Sequence, residues 1–413
     1  MTSLSALLRI RRRVPAALAC ALACCASPPV SAEPLSPFAH CLREIAAEAE
    51  AAGVPRALAE AQFQDLTSDE GVLAATRNQA EFVRPVGAYV EASVTDAKIA
   101  EGQRLLGVWA PTLDAIAARY GVDRYTLVAF WGVESNYGAV LDDPNVVRPA
   151  IRSLATLACG DETRPGYWRG ELVAALTILA AKDVSPERLT GSWAGALGNT
   201  QFMPSVFLKR AVDFDGDGRR DLWGSVPDAL ASTANYLVAE GWRKGERWGS
   251  EAILPPGFDL SLADEMTARP LKEWKALGVT PVNGEGLGED QAATLFLPAG
   301  ERGPAFLLLP NFGVILRYNT AFSYALTVAH LSDRLRGWPG FARDWPRDDR
   351  MLSNDERRDL QTRLVAKGLL AGTIDGKVGP KTRAALRVFQ RGAGLPPDGY
   401  ANGPTLDRLR AEP

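Results

Sequence analysis

The chain has little histidine, cysteine or methionine: two, five and four residues among 413. His40 and His330, far apart, are a poor basis for a His-rich zinc centre or a His-based triad. Long apolar runs are missing as well, and none approaches the roughly 18–20 residues of a membrane span. Nor is there a basic excess. Lys and Arg number 46 against 49 Asp and Glu, for a formal charge of −3. Such a chain lacks the basic surface that gives nucleic-acid affinity, so no nucleic acid is expected as a partner. Gly284-Glu285-Gly286-Leu287-Gly288 lacks the strand–helix context of a dinucleotide site, and Gly379-Pro380-Lys381-Thr382 lacks the upstream glycine of a phosphate loop. No organic cofactor is expected.

What is present is ordinary globular composition, 46% hydrophobic and 23% charged, long enough for two or three domains. Arg9, Arg11, Arg12 and Arg13 precede a small-residue apolar run, and Val30-Ser31-Ala32 supplies a cleavage site. Residues 1–32 therefore read as a signal peptide, and the periplasm is the expected location. The alternative is a lipid anchor on Cys24 or Cys25 in the outer membrane, although the preceding residues match a lipidation box imperfectly. Loss of residues 1–32 removes four Arg and no acids, leaving 42 bases, 49 acids and a formal charge of −7. It also leaves two cysteines, Cys41 and Cys159. In an oxidising compartment these suggest a disulfide, with two free buried thiols as the alternative.

The predicted fold is mainly α (α+β). Leu42, Ile45, Ala49 and Ala52 make a helical stripe that stops at Gly53-Val54-Pro55. Ile99–Tyr120 is helical and kinked or split by Pro111. Further helices begin near Arg124 and cover Ile151–Ala158, Gly170–Lys182, Asp228–Glu240 and Tyr318–Leu331. Residues 251–316 read as a small β-rich subdomain with strands Thr294–Leu297, Phe306–Leu309 and Val314–Leu316. Residues 336–352 read as a linker. Residues 353–410 read as a small three-helix domain with core residues Leu360, Leu364, Leu370, Leu386 and Phe389. That domain contains a repeat: Asp375-Gly376, Thr382 and Leu386 recur as Asp398-Gly399, Thr405 and Leu409.

Leu127 to Val133 is apolar around nearly its whole circumference, which marks a buried helix, and Glu134 closes it. Desolvation and the negative end of the helix dipole both disfavour an ionised carboxylate there, as a general acid requires. The plainer reading is a glutamate turned to solvent or paired with Arg. Ser192 to Pro204 combines small residues with aromatic and amide groups, of which Trp193 can stack on sugar and Gln201 can hydrogen-bond to it. It also suits a tight helix–loop packing element.

Val133-Glu134-Ser135-Asn136-Tyr137-Gly138, Gly195–Pro204 and Arg317-Tyr318-Asn319 together resemble the lytic murein transglycosylase B family over residues 38–335, which makes 33–335 the expected catalytic region. The resemblance implies a lysozyme-like helical catalytic domain around a glycan groove. It implies Glu134 as general acid and base, and Ser192, Gln201, Tyr236, Tyr318, Asn319, Tyr167 and Arg164 as groove residues. The implied reaction cleaves the bond between N-acetylmuramic acid and N-acetylglucosamine and leaves 1,6-anhydromuramic ends. Ordinary two-carboxylate hydrolysis is the competing chemistry, with Asp142 or Asp143 as possible partner. A non-catalytic wall-binding scaffold is the competing class. Peptidoglycan strands are the expected partner, with other cell-wall enzymes as further candidates, and the protein is expected to be a monomer.

Asp213-Phe214-Asp215-Gly216-Asp217-Gly218-Arg219 matches the first seven positions of an EF-hand loop, which predicts a structural calcium ion. Asp213, Asp215, Asp217 and the Arg219 carbonyl are the expected ligands. Position twelve is Gly224 rather than Glu. The resemblance offers Asp228 as the closing ligand, while Ser225 and Asp228 also fit a capping box. The tail resembles the peptidoglycan-binding domains attached to wall hydrolases, through Leu360-Gln361, Asp375-Gly376, Phe389-Gln390 and Asp398-Gly399.

Overall fold

The structure, a computed structural model, describes residues 36–76 and 84–412. The expected signal peptide, with Cys24 and Cys25, lies outside the described residues. No helix among the described residues is long and apolar enough to cross a membrane.

Residues 37–335 form helices around two apolar cores, with a sheet on one side. The first helix, Pro37–Ala51, buries Leu42, Ile45, Ala46 and Ala49. Ala52 lies beyond its end and is exposed. Cys41 on this helix is disulfide-bonded to Cys159 on helix Ala150–Gly160, with Cα atoms 5.9 Å apart and a sequence separation of 118. Both helices belong to one core, with Leu154, Leu172, Leu176 and Phe207. The other core joins Leu127 and Phe130 of helix Arg124–Ser135 to Leu326 and Val328 of helix Phe322–Leu335. Tyr236 and Tyr318 pack against both cores and so fill the seam between them. The stretch around Pro111 is split into Asp96–Val108 and Ala110–Tyr120, with the proline in the first turn of the second helix, where its missing N–H costs nothing.

The sheet has five antiparallel strands in the order Arg269–Pro270, Ala292–Phe296, Ala305–Leu308, Gly249–Ile253, Thr280–Pro281. Register pairs Leu295 with Leu307, and Ser250 with Leu307 on the other side. Two of the expected strands are present. The third, Val314–Leu316, is instead part of helix Pro310–Tyr318, which buries Asn311, Phe312, Val314 and Ile315. A short apolar run does not distinguish strand from buried helix, and here Pro310 pre-sets the helical start. Likewise Tyr318 ends that helix, and Asn319–Ala321 separates it from Phe322–Leu335.

Residues 336–352 are docked along the catalytic region. Glu251 accepts from the N–H groups of Ala342 (2.6 Å) and Arg343 (2.9 Å), while Phe341 and Trp345 pack on Phe306. Helices Asn354–Ala366, Pro380–Gly392 and Gly403–Ala411 then enclose Leu360, Leu364, Leu370, Leu386 and Phe389 as expected. Their domain meets the sheet region through Arg383–Glu265 and Arg387–Asp264 ion pairs.

Candidate active site

Asp123 starts helix Arg124–Ser135 by accepting from the N–H groups of Tyr125 and Thr126, at 3.1 and 3.0 Å. The helix stops because Asn136, Tyr137 and Gly138 are all left-handed, with φ of 50°, 60° and 84°. Tyr137 is an uncommon residue there, and its surroundings hold it. Its hydroxyl donates to Lys98 O at 2.9 Å, and its ring meets Trp131 edge-on. Gly102 and Gly132 make room for that ring, since a Cβ on either would approach Tyr137 to 2.3 or 2.7 Å. Lys98 Nζ donates to Gly132 O at 3.0 Å, covering one of the last helix carbonyls.

A second anchor crosses the seam. Trp131 Nε1 donates to Asn199 Oδ1 at 2.8 Å, and Asn199 Nδ2 donates to Leu222 O and Trp223 O. The buried amide therefore ties the glutamate helix to the Gly195–Pro204 loop. Asn199 is thus a structural clamp within that loop. Gln201 has φ of 53° and donates from Nε2 to Gly198 O at 2.8 Å. Ser192 Oγ accepts from Ala194 N and Ala196 N. Asn319 Oδ1 accepts from Ala321 N at 3.0 Å.

Glu134 is half-buried at the end of its helix and accepts a hydrogen bond on Oε1 from the Tyr324 hydroxyl. Burial, and next the Glu134 charge, raise the Tyr324 phenol well above its usual range, so it stays a donor. The same two causes raise Tyr318, whose hydroxyl donates to Thr200 O at 2.5 Å. Sequence reasoning missed Tyr324, which reads as one more apolar helix position. Its adjacency to the Arg317-Tyr318-Asn319 motif was the available signal.

Glu134 opens on a cleft of about 1630 Å³, above the roughly 300–1,000 Å³ of small-molecule pockets and suited to a polymer. Glu134, Ser192, Gln201, Tyr318, Asn319, Tyr167 and Arg164 all line it. Tyr236 does not. It stands behind Tyr318, their rings 4.9 Å apart, and donates to Arg317 O at 2.7 Å. Among the described residues, the carboxylates lining the cleft are Glu134, Asp349 and Asp375, the last two on the linker and C-terminal domain. Asp142 and Asp143 are not among them.

Asp213, Asp215 and Asp217 form the expected cluster, their nearest oxygens within 4.8 Å of one another. Asp228 stands outside it, fully buried. Its oxygens accept from Phe214 N (2.7 Å), Asp215 N (3.3 Å) and Asp221 N (2.9 Å). Ser225 Oγ caps its helix by accepting from Asp228 N. Three carboxylates of this kind suit a hard cation with oxygen ligands.

The helical lobes, the small sheet and the single acid that those lobes contribute to a polymer-sized cleft define a lysozyme-like catalytic fold with an added helical domain. The chain belongs to the transglycosylase SLT family, whose model matches residues 37–333. A peptidoglycan-binding domain model matches residues 353–409. Crystal structures of SltB3 from Pseudomonas aeruginosa, in complex with NAG-anhNAM-pentapeptide and with NAG-NAM-pentapeptide, are 44% and 45% identical. Each superposes with a TM-score of 0.84, over 90% of this chain and 99% of that one. Membrane-bound lytic murein transglycosylase B of Escherichia coli is 37% identical over 217 residues, 51% of this chain. The match spans only 56% of that curated protein. Escherichia coli lytic transglycosylase Slt35 in complex with calcium is 29% identical, with a TM-score of 0.62 over 73% of this chain and 98% of that one.

Proposed function

We propose that the protein is an exported lytic transglycosylase that cleaves the β-1,4 bond between N-acetylmuramic acid and N-acetylglucosamine in peptidoglycan. The observation that carries this is the solitary carboxylate: Glu134 is the one acid that the catalytic region contributes to the cleft lining among the described residues. Two-carboxylate hydrolysis needs a second acid at a defined separation across the scissile bond. With Glu134 as the one acid of its own region there, the substrate supplies the remaining groups. Glu134 gives its proton to the bridging oxygen as the C1–O4 bond breaks, and the N-acetylglucosamine portion leaves as an alcohol. The neighbouring acetamido carbonyl supports the electron-poor C1. The muramic C6 hydroxyl then bonds to C1 and passes its proton to the Glu134 carboxylate, which restores the acid. Tyr324 holds the carboxyl group in place through both steps, while Gln201, Tyr318 and Asn319 orient the sugars.

Export follows from the N-terminal arginines, apolar run and Ala32 cleavage site, and the Cys41–Cys159 bond suits an oxidising envelope compartment. Asp213, Asp215 and Asp217, with the Arg219 carbonyl, would hold a calcium ion that stiffens the loop before helix Val226–Ala239. Mass spectrometry of fragments released from purified sacculi tests the reaction. Products one water lighter than reducing muropeptides are expected, and reducing ends alone would replace this reading with a hydrolysing muramidase.

A further inference from the structure

The two repeat copies of the C-terminal domain are built on the same hydrogen-bond plan. In the first, Gln361 Oε1 accepts from Gly376 N at 2.7 Å, and Gln361 Nε2 donates to Asp375 Oδ1 at 3.0 Å. Lys377 N also donates to Asp375 Oδ1, at 2.8 Å. In the second, Gln390 Oε1 accepts from Gly399 N at 2.8 Å, and Gln390 Nε2 donates to Asp398 Oδ1 at 2.8 Å. Tyr400 N donates to the same oxygen at 2.9 Å. Both Asp-Gly turns are left-handed at glycine, with φ of 75° and 73°. Each copy thus spends one aspartate oxygen on its own turn and aims the other away from it.

The copies differ in what that second oxygen meets. Asp398 Oδ2 accepts from a backbone amide of the catalytic region, Glu301 N, at 3.0 Å. The contact is so close that a Cβ on Gly300 would lie 2.5 Å from this oxygen. Asp398 is consequently 9% exposed. Asp375 Oδ2 has no hydrogen-bond partner among the described residues, and Asp375 is exposed on the wall of the cleft that holds Glu134. The Gln361 amide, foremost, holds the Asp375 carboxyl below its usual range, so it is an anionic acceptor at neutral pH. The second copy therefore displays, within one molecule, the ligand that this turn is shaped to take.

We propose that Asp375, in the Asp375-Gly376-Lys377 turn, is a substrate-binding residue that accepts a secondary amide N–H of peptidoglycan on Oδ2, as Asp398 accepts Glu301 N–H. One copy of the repeat docks the domain and the other reads the strand entering the cleft. This rests on the peptidoglycan reading above and adds the chemical group recognised. Secondary amides come from two parts of the polymer, the acetamido groups of the sugars and the stem peptides.

The test uses the full chain with Glu134→Gln, so that strands are bound without being cut, and measures Kd for sacculi by cosedimentation. Adding Asp375→Asn puts an N–H donor in place of the acceptor and is expected to weaken binding about tenfold, the size of one charge-assisted hydrogen bond. An unchanged Kd overturns the proposal. Soluble glycan strands freed of peptides by an amidase, with Kd read by calorimetry, separate the sources: a penalty on both substrates assigns the acetamido group, and a penalty on intact sacculi alone assigns the stem. Should the double variant not fold, amide resonances of Gly376 and Lys377 in the Glu134→Gln chain are followed during titration with a peptide-bearing muropeptide. Shifts are expected, and their absence at saturation overturns the proposal. A Glu134→Gln chain that does not bind sacculi at all would overturn the functional reading as well. Binding that is insensitive to Asp375→Asn would leave that reading standing and remove only this subsite.

Discussion

Glu134 and the Asp213–Asp217 loop are both carboxylate sites, and they treat negative charge in opposite ways. Glu134 sits at the negative end of a buried helix, half-covered, with a phenol as its hydrogen-bond partner. The loop gathers three acids within 4.8 Å and largely exposes them. It ties them with its own amides: Gly216 N and Gly218 N donate to Asp213, and Arg219 N donates to Asp217. The carboxylate for which a proton-exchanging role is proposed stands apart from the other acids of its own region. The three loop carboxylates are instead grouped, and each accepts from backbone amides of its own loop. Asp228 is a third case, a buried acid whose oxygens bind three loop amides, so that its work is backbone fixation.

The largest expected effect breaks the comparison at its catalytic side. Glu134→Gln keeps the shape and removes the proton, and turnover on sacculi is expected to fall by roughly 10²–10⁴, the usual contribution of a positioned acid–base group. Retained turnover would return Glu134 to the status of an ordinary helix-end glutamate. Next comes Asp228→Ala, which leaves three amides without their acceptor. About 3 kcal/mol of stability should be lost, read from the denaturant midpoint. The loss is expected in chelator as well as in calcium. A loss confined to calcium would make Asp228 a metal ligand instead of a clasp. Tyr324→Phe removes one hydrogen bond to a charged group, and kcat should fall about 10–100-fold with folding retained. An unchanged kcat would show that Glu134 is oriented by its helix alone.

The helices and the buried setting of Glu134 were readable because their signals are local. The stripe Leu42, Ile45 and Ala49, the proline at 111 and the apolar girdle before Glu134 each act within a few residues. The exceptions have physical causes. Val314–Leu316 fits either period, and only packing of Phe312 and Ile315 into a core decides for helix. Asn199 and Gln201 lie two apart in one motif, yet one faces Trp131 and the other the cleft. Tyr324 reaches Glu134 across 190 residues of chain. Tyr236 was assigned to the groove, whereas its hydroxyl is turned to Arg317 O. The wall made by the C-terminal domain was invisible for the same reason. It depends on how residues 336–352 dock, through Glu251 and two backbone amides.

The smallest expected effect sharpens the loop side. Holding three aspartates within 4.8 Å sets like charges against one another, and loop amides neutralise them only in part. A divalent cation replaces that repulsion with attraction and binds the folded loop alone, so it should stabilise the protein by mass action. At calcium concentrations between tenfold and a hundredfold above Kd, the gain is roughly 1–3 kcal/mol. For a catalytic region of this size, that corresponds to a few degrees in thermal midpoint. Scanning calorimetry of metal-free protein, in chelator and then in millimolar calcium, reads it directly. Asp215→Asn should abolish the shift with folding retained in chelator, because its Oδ1 can still accept from Asp217 N and the lost Oδ2 acceptor for Ser225 Oγ is offset by relief of the repulsion. Glu134→Gln should leave the shift intact, since the two carboxylate sites lie on separate elements. A midpoint insensitive to calcium would mean that the loop amides already saturate its three acids, and that the fold has no use for the ion.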